Sequence, residues 1–261
     1  MKLILRIVFL YSTFTFCTNA ALIERLDGLA YYDDVLDITW LADANFAATE
    51  SFGVNGISSY QYPSLELGGG MSWAIAQDWV AAMNATNGSQ GYLGHNQWRL
   101  PSADPVNGST YDYTFFVKDG STDSAFNISA PGSVYEGSTQ SELAHLYYNT
   151  LLNSALYDID GTQNNCDINP LELTGCLTNT GPFSNLLAVS NVYWTGNEAT
   201  SDTALGFTMQ TGQQYNEYQS ATGYVLAVAD GDVFVSEVPV PAALWLFSFG
   251  LLTLFGVLRK P

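Results

Sequence analysis

Apolar residues recur at helical spacing in two segments of the chain. The first helix begins after Ser72, which suits an N-cap, and ends at Asn87-Gly88. The second begins with a capping box formed by Thr139 and Glu142. The apolar face of the first helix is Trp73, Ala76, Trp79, Val80 and Met83; that of the second is Leu143, Leu146, Tyr147, Thr150 and Leu151. We interpret both faces as parts of a core rather than ligand platforms.

Strand patterns lie on either side of these helices. Residues 28–40 alternate loosely around an Asp33-Asp34 turn, and 205–210, 214–219 and 224–229 form short β-like segments. Strands near both ends of the domain predict a sheet that the chain closes with its own ends. We therefore expect an α+β fold with two helices and a looped, mainly antiparallel sheet.

A third apolar pattern lies at the C-terminal end. Residues 242–258 carry no charge and would form a helix about 26 Å long, near the thickness of a bilayer core. Pro239 and Pro241 precede this stretch, and Arg259 and Lys260 follow it. The pattern predicts a transmembrane helix with its basic end in the cytoplasm.

The N-terminal end has the pattern of an export signal. Lys2 and Arg6 form a charged region, residues 7–16 an apolar core, and the segment ending at Ala20 a small-residue cleavage site. We expect residues 1–20 to be removed as a signal peptide. Lipid attachment at Cys17 is the alternative, although the bulky Phe16 before it disfavours that chemistry.

Charge is distributed very unevenly between the ends and the predicted ectodomain, residues 21–237. This part contains all 25 Asp and Glu residues but only three cations, which leaves a formal charge of −22. Such a surface repels nucleic acid and anionic lipid. We therefore exclude nucleic-acid binding and expect a soluble exported domain, attached to the membrane through the C-terminal helix.

The C-terminal segment 238–261 resembles a PEP-CTERM sorting signal. The resemblance is carried by the motif Val238-Pro239-Val240-Pro241-Ala242-Ala243, the segments Trp245-Leu246-Phe247 and Gly250-Leu251-Leu252, and the basic pair Arg259-Lys260. Val240 stands where the family often has Glu. The resemblance implies that an exosortase-type membrane peptidase cuts at the proline motif and passes the ectodomain to the cell surface or the extracellular space. An ordinary single-span anchor is the alternative.

The motif Trp98-Arg99-Leu100-Pro101 resembles the core of the Lcl C-terminal domain family. Further landmarks of the family occur in order over residues 24–235: Gly28-Leu29, Trp40, Trp73-Ala74, Ser141-Glu142-Leu143, Tyr193-Trp194 and the segment 225–228. The resemblance implies a C-type-lectin-like fold whose termini pair, and an adhesive role on glycosaminoglycans and host matrix. The charge of −22 argues against binding a polyanion here.

Three local features of the ectodomain carry expectations of their own. Arg99, flanked by apolar neighbours, is expected to be partly buried and to bridge loops through bidentate bonds rather than to contact a ligand. Cys166 and Cys176 predict a structural disulfide in an exported domain, with a reactive cysteine pair as the alternative. Asp158, Asp160 and Asp167 place hard oxygen ligands in a turn and are candidate calcium ligands, with a solvated acidic loop as the alternative.

Candidate catalytic residues are few. His95 and His145 lie in no recognised nucleophile or zinc motif, and we expect His145 on the surface of the second helix. The calcium-lectin triplets for sugars are missing, so sugar contacts would fall to exposed aromatic side chains. Candidates are Tyr60, Tyr62, Tyr215 and Tyr218.

The sequence thus predicts a non-enzymatic surface or matrix protein without a cofactor, calcium aside. Its domain would be lectin-like and would associate with exopolysaccharide or a surface protein. A carbohydrate-active enzyme on the same scaffold and a purely structural biofilm protein are the alternatives.

Overall fold

The computed structural model describes residues 22–58, 67–169 and 173–235, a mixed α/β fold with two helices and mainly antiparallel sheets. The predicted signal peptide, sorting motif and membrane span lie outside these residues, as do Tyr60 and Tyr62. The strands are β1 (Leu22–Arg25), β2 (Ala30–Asp33), β3 (Ile38–Leu41), β4 (Phe115–Val117), β5 (Ser124–Ala125), β6 (Tyr193–Thr200), β7 (Thr203–Thr208), β8 (Gln213–Tyr218) and β9 (Val228–Asp230).

These strands form three sheets. The first has the order β1-β2-β3-β9 and is antiparallel throughout. The second is the parallel pair β4-β5, and the third is the antiparallel meander β6-β7-β8. The predicted meander of short segments near the C-terminal end is therefore present in β7 and β8, although β9 leaves it to join the first sheet.

The two ends of the described chain pair with each other in the first sheet. Ile38 of β3 lies opposite Asp230 of β9, and Trp40 lies opposite Val228. The predicted closure of the sheet by the chain ends is confirmed. Beyond the sheet, the Arg25 guanidinium forms a two-bond ion pair with the Asp232 carboxylate and so ties β1 to the residues after β9.

The first helix, α1, spans Trp73–Ser89, as the apolar spacing predicted. Ala76, Trp79, Val80 and Met83 are buried, whereas Trp73 is half-buried. Ser72 occupies the N-cap position, but its side chain makes no capping hydrogen bond. The backbone leaves helical geometry at Thr86, Asn87 and Gly88, close to the predicted end.

The second helix, α2, is short, Glu142–His145, and continues into a π-helical turn at Leu146–Thr150. The predicted capping box was wrong: the N-cap is Ser141, whose hydroxyl oxygen accepts the N–H of Ala144 at 3.3 Å. Glu142 is unavailable for a capping box because its carboxylate binds Arg99.

The predicted surface position of His145 was also wrong. The side chain is 3% exposed because α2 is surrounded by protein on every side. Its Nδ1 lies 3.1 Å from the carbonyl oxygen of Ser138.

The core consists of two clusters on opposite sides of the first sheet. One surrounds α2 and includes Trp40 and Tyr147, and the other surrounds α1 and includes Leu41 and Trp79. Successive residues of a strand point to opposite faces, so β3 contributes alternately to both clusters. Burial on both faces explains why residues 28–40 alternate only loosely in sequence.

Among residues 22–58, 67–169 and 173–235, no helix is long and apolar enough to cross a bilayer. The predicted span, residues 242–258, falls outside them.

Candidate functional site

The Trp98-Arg99-Leu100-Pro101 motif extends the first sheet beyond β9. The backbone N–H of Arg99 donates to the carbonyl of Val228 at 2.8 Å, and the N–H of Val228 donates back to Arg99 at 3.0 Å. The amide side chain of Asn84, from α1, holds the backbone of Trp98 through two 2.8 Å hydrogen bonds. The motif is therefore fixed between α1 and the sheet.

Arg99 commits all five of its N–H groups to the protein. Nη1 and Nη2 donate in parallel to the carboxylate oxygens of Glu142, at 2.8 and 2.7 Å. Nε and Nη2 donate to Oδ1 of Asp230 at 2.8 and 2.6 Å, and Nη1 also donates to the carbonyl of Leu100 at 3.1 Å. A guanidinium has five donors, so none remains for a ligand.

Electrostatics at Arg99 agree with this geometry. Burial by itself lowers the pKa of Arg99, but the hydrogen bonds and charges of Glu142 and Asp230 outweigh it and raise the pKa above its usual value. Glu142 also accepts the backbone N–H of Ser102 at 2.7 Å. The expected bidentate bridge is present, and it joins the motif, α2 and β9 at one point.

The motif also lines an open cleft of about 480 Å³. Two of its amide side chains bind the protein itself: Asn84 holds Trp98, and the side-chain oxygen of Asn197 accepts the N–H of Ala103 at 2.8 Å. Because Arg99 has no free hydrogen-bond donor either, this cleft offers few polar groups that could bind a ligand specifically.

The Cys166–Cys176 disulfide is present and confirms the predicted bridge. Its Cα atoms are 5.1 Å apart, and Cys176 is buried. The bridge lies directly after the aspartate-rich segment that begins at Tyr157, so it restrains that segment at one end.

Two of the three candidate calcium ligands, Asp158 and Asp160, are engaged in local turns. Oδ1 of Asp158 accepts the side-chain N–H of Asn164 at 2.7 Å, and Oδ1 of Asp160 accepts the backbone N–H of Thr162 at 2.9 Å. Hydrogen bonds from Thr162 lower the pKa of Asp160. Within the described ranges, no group of three His, Cys, Asp or Glu side chains is placed to hold a metal ion. The calcium site at Asp158, Asp160 and Asp167 stays a prediction, which calcium and EDTA melting curves test.

A second cleft, of about 620 Å³, opens beside this segment, and we call it the acidic cleft. Its apolar walls include Ala130, Pro131, Leu152 and Ile159, and its exposed carboxylates are Asp158 and Asp160. Each carboxylate can accept further hydrogen bonds, because two oxygens offer about four acceptor sites. The acidic cleft can therefore hold a ligand that has both apolar faces and hydroxyl or amine donors.

Leu152 is an unusual wall residue. Its backbone lies in the left-handed region, with φ 58°, and its side chain is 62% exposed. A branched aliphatic residue rarely adopts this conformation.

Four rings near the acidic cleft form what we call the aromatic surface: Phe115, Phe116, Tyr157 and Tyr215. Phe115 lies 6.3 Å from Tyr215 between ring centroids, and Phe116 lies 5.4 Å from Tyr157. The carbonyl of Tyr157 accepts the side-chain N–H of Asn127 at 2.7 Å, and Asn127 lines the acidic cleft. Tyr157 therefore contacts both Phe116 of the aromatic surface and a residue that lines the acidic cleft.

The tyrosines proposed from sequence for sugar contacts differ in position. Tyr218 is 66% exposed, as expected. Tyr215 is half-buried, and burial raises its pKa. Sequence reasoning missed Phe115 and Phe116, which are 59% and 41% exposed.

One serine and histidine contact superficially resembles a catalytic pair. Ser129 Oγ lies 3.3 Å from Nδ1 of His145, but the Ser129 hydroxyl donates to the carbonyl of Ser138 at 2.6 Å. Nδ1 of His145 also faces that carbonyl, so it carries the proton and cannot accept one from Ser129. Both side chains are buried away from solvent.

No protein-family model matches the chain, and the search of curated proteins found no match either. The two resemblances drawn from the sequence therefore stay predictions.

Proposed function

We propose that this protein is an exported, non-enzymatic binding protein of the cell surface or extracellular matrix. Its lectin-like ectodomain would bind polysaccharide, and its C-terminal tag would deliver it through an exosortase-type peptidase. The observation that carries the binding role is the acidic cleft, in which apolar walls meet the exposed carboxylates of Asp158 and Asp160.

The chemistry of this cleft suits a saccharide. Sugar rings have apolar faces that pack on side chains such as Leu152 and Ile159, and hydroxyl groups that donate to carboxylates. The ectodomain's charge of −22 disfavours an acidic polymer. We therefore assign an uncharged or amine-bearing polysaccharide as the ligand class.

The delivery route rests on the sequence. Residues 1–20 have the pattern of a signal peptide, and residues 238–261 resemble a sorting signal. Fractionation of the producing cells, with mass spectrometry of the protein's C-terminus, tests this part. Protein in the surface or extracellular fraction that lacks the basic end supports it, and an intact tail in extracellular protein contradicts it.

The binding role is tested with the full-length chain in detergent and the producer's own purified exopolysaccharide. The double variant Asp158→Asn, Asp160→Asn removes both charges, yet each amide oxygen can still accept the local hydrogen bond. We expect the affinity to fall about tenfold or more, since hydrogen bonds to charged groups contribute about 1.5–3 kcal/mol.

Asp202→Asn is the matched control, because Asp202 is an exposed carboxylate in the β6–β7 turn and does not line the cleft. Equal binding by all three proteins would contradict the assignment of the site. Turnover of the polysaccharide would favour an enzyme instead, and failure to bind any glycan would favour a purely structural biofilm protein.

A further inference from the structure

Phe115 and Phe116 are adjacent in the chain and both project into solvent. In a regular strand, neighbouring side chains point to opposite faces. Here the pairing of β4 with β5 is irregular between Phe115 and Val117, and Phe116 has a φ of 65°. The two rings consequently lie 5.9 Å apart between centroids, inclined by 36°.

The backbone at Phe116 is strained. A bulky residue with a φ in the left-handed region is a genuine outlier, because its side chain clashes with its own backbone there. A glycine would relieve the strain. Irregular strand pairing can re-aim side chains and occurs near binding sites, and here it accompanies the exposure of both rings.

Neighbouring side chains hold the Phe116 ring in place. It packs edge-on against Phe126 and Tyr157, at 5.5 and 5.4 Å between centroids. Nζ of Lys118 lies 3.7 Å from the centre of the Phe116 ring, a cation–π contact. Phe115, by contrast, has ring contacts only with Phe116 and Tyr215 among the described residues. The aromatic surface therefore combines the Phe116 ring, which its neighbours hold in place, with the Phe115 ring, which is open to solvent.

The charges around these rings limit the ligand class. Polyanions are repelled by the ectodomain's charge of −22. A second copy of this chain has the same charge and is repelled as well. Cationic groups are disfavoured at the rings themselves, because the Lys118 ammonium already occupies the Phe116 face. An uncharged ligand with apolar faces is subject to none of these repulsions.

We propose that the aromatic surface is a stacking site for uncharged polysaccharide, distinct from the acidic cleft and next to it in the chain, where Asp158 follows Tyr157. A polymer of sugar rings would lie with its C–H faces on the open Phe115 ring, beside the Phe116 ring that Lys118 covers, and continue toward Asp158. This inference deepens the proposed function, because it assumes that the ectodomain binds glycan, and it adds both the contact residues and the uncharged class.

Affinity electrophoresis of the full-length chain in detergent tests the inference. The gels contain dextran, galactomannan or xyloglucan as uncharged probes, and alginate as an anionic one. We expect at least one uncharged polymer to retard the protein and alginate to retard it little. Phe115→Ala should weaken the retarding interaction at least tenfold while the melting temperature stays unchanged, because the side chain is 59% exposed.

Two further variants serve as controls. Phe115→Trp retains a ring and should preserve binding. Leu29→Ala removes a similarly exposed apolar side chain, 50% exposed, from the turn before β2 and should leave binding unchanged. If Phe115→Ala is retarded as strongly as the native chain, the proposal is overturned. The same holds if alginate retards the native chain as strongly as the uncharged polymers do. A dimer of the native chain in sedimentation that Phe115→Ala abolishes would also overturn it.

The failure of this inference can be distinguished from failure of the proposed site. If only the Asp158→Asn, Asp160→Asn variant loses binding, the acidic cleft stands and the stacking site is wrong. If only Phe115→Ala loses binding, the stacking site stands and the assignment of the acidic cleft is wrong. If the native chain is retarded by no uncharged polymer, the stacking site is wrong, and binding to the producer's exopolysaccharide decides separately on the proposed function.

Discussion

Arg99 and Glu142 are 43 residues apart in sequence and face each other through two parallel hydrogen bonds of 2.8 and 2.7 Å. Glu142 is almost fully enclosed, with 8% of its side chain exposed, whereas Arg99 is 32% exposed. The pair thus anchors the start of α2 to the sequence motif, and Arg99 has no donor left for a ligand.

Arg99→Lys should destabilise the fold. Lysine keeps the charge but has three donors and no planar fork, so it cannot satisfy Glu142 and Asp230 together. Breaking a buried ion pair costs about 3–5 kcal/mol, and the partial exposure of Arg99 reduces our expectation to about 2–3 kcal/mol. Denaturant unfolding measures the change.

Lys118→Arg is the control for the unfolding measurement alone, because it exchanges the same two residue types where the cation contacts an aromatic ring instead of the Glu142 and Asp230 carboxylates. A variant Arg99→Lys that unfolds like the native chain but no longer binds polysaccharide would show that Arg99 contacts the ligand after all.

Removal of the disulfide should lower stability. The bridge closes a short loop, for which chain-entropy arguments give about 2–4 kcal/mol. The double variant Cys166→Ser, Cys176→Ser should therefore melt at a lower temperature and lose part of its affinity for the exopolysaccharide, because the adjacent segment forms the acidic cleft. Cys17→Ser should melt like the native chain. Alkylation of Cys166 or Cys176 without prior reduction would contradict the bridge.

His95 should titrate below the usual value of about 6.5. Burial lowers the pKa of His95, against a hydrogen bond with the backbone of Gln97 and the charge of Asp230. A folded-state pKa below the unfolded one means that the contribution to stability is complete above about pH 6.5 and is lost as the pH falls through the folded value.

Nuclear magnetic resonance of the imidazole protons checks this directly, since the chain has only two histidines. His95→Phe can keep the edge-on contacts with Trp98 and Phe234 and should remove this pH dependence. A His95 midpoint above 6.5 would contradict the expected direction.

Asp123→Asn should destabilise the loop that leads to the aromatic surface. The Asp123 carboxylate accepts the backbone N–H groups of Val106 and Asp112, at 2.8 and 2.7 Å. An amide has one oxygen, so one buried N–H would lose its partner, at about 1–3 kcal/mol. Calorimetry should show a lower melting temperature, and dextran or galactomannan binding should weaken. Asp202→Asn, at an exposed turn, should change neither.

The elements that the sequence predicted best are those with a strong local signal. The spacing of Ala76, Trp79, Val80 and Met83 indicated α1, and two cysteines in an exported domain indicated the disulfide. The apolar spacing also predicted a helix at Leu143. It did not predict the short length of that helix or the π-helical turn that follows, because the sequence has no clear pattern for either.

Other features depend on distant partners. The sequence indicated that Arg99 would bind a carboxylate or backbone carbonyls but could not identify Glu142 or Asp230, because 43 and 131 residues separate them from Arg99. The exposure of Phe115 and Phe116 was missed for a related reason. Adjacent phenylalanines are typical of a buried strand, and only the irregular pairing with β5 and the backbone at Phe116 turn both rings outward.

The pairing of the chain ends in the first sheet determines how the domain bears mechanical load. If the polypeptide is held at its C-terminal side while a polymer pulls on the opposite surface, tension enters the fold at Val235. It then meets Phe234 packed on Trp98, the Arg25–Asp232 ion pair, and last the β3–β9 ladder. Load applied at Val235 therefore falls first on side-chain contacts at the edge of the fold and only then on the backbone hydrogen bonds of the sheet.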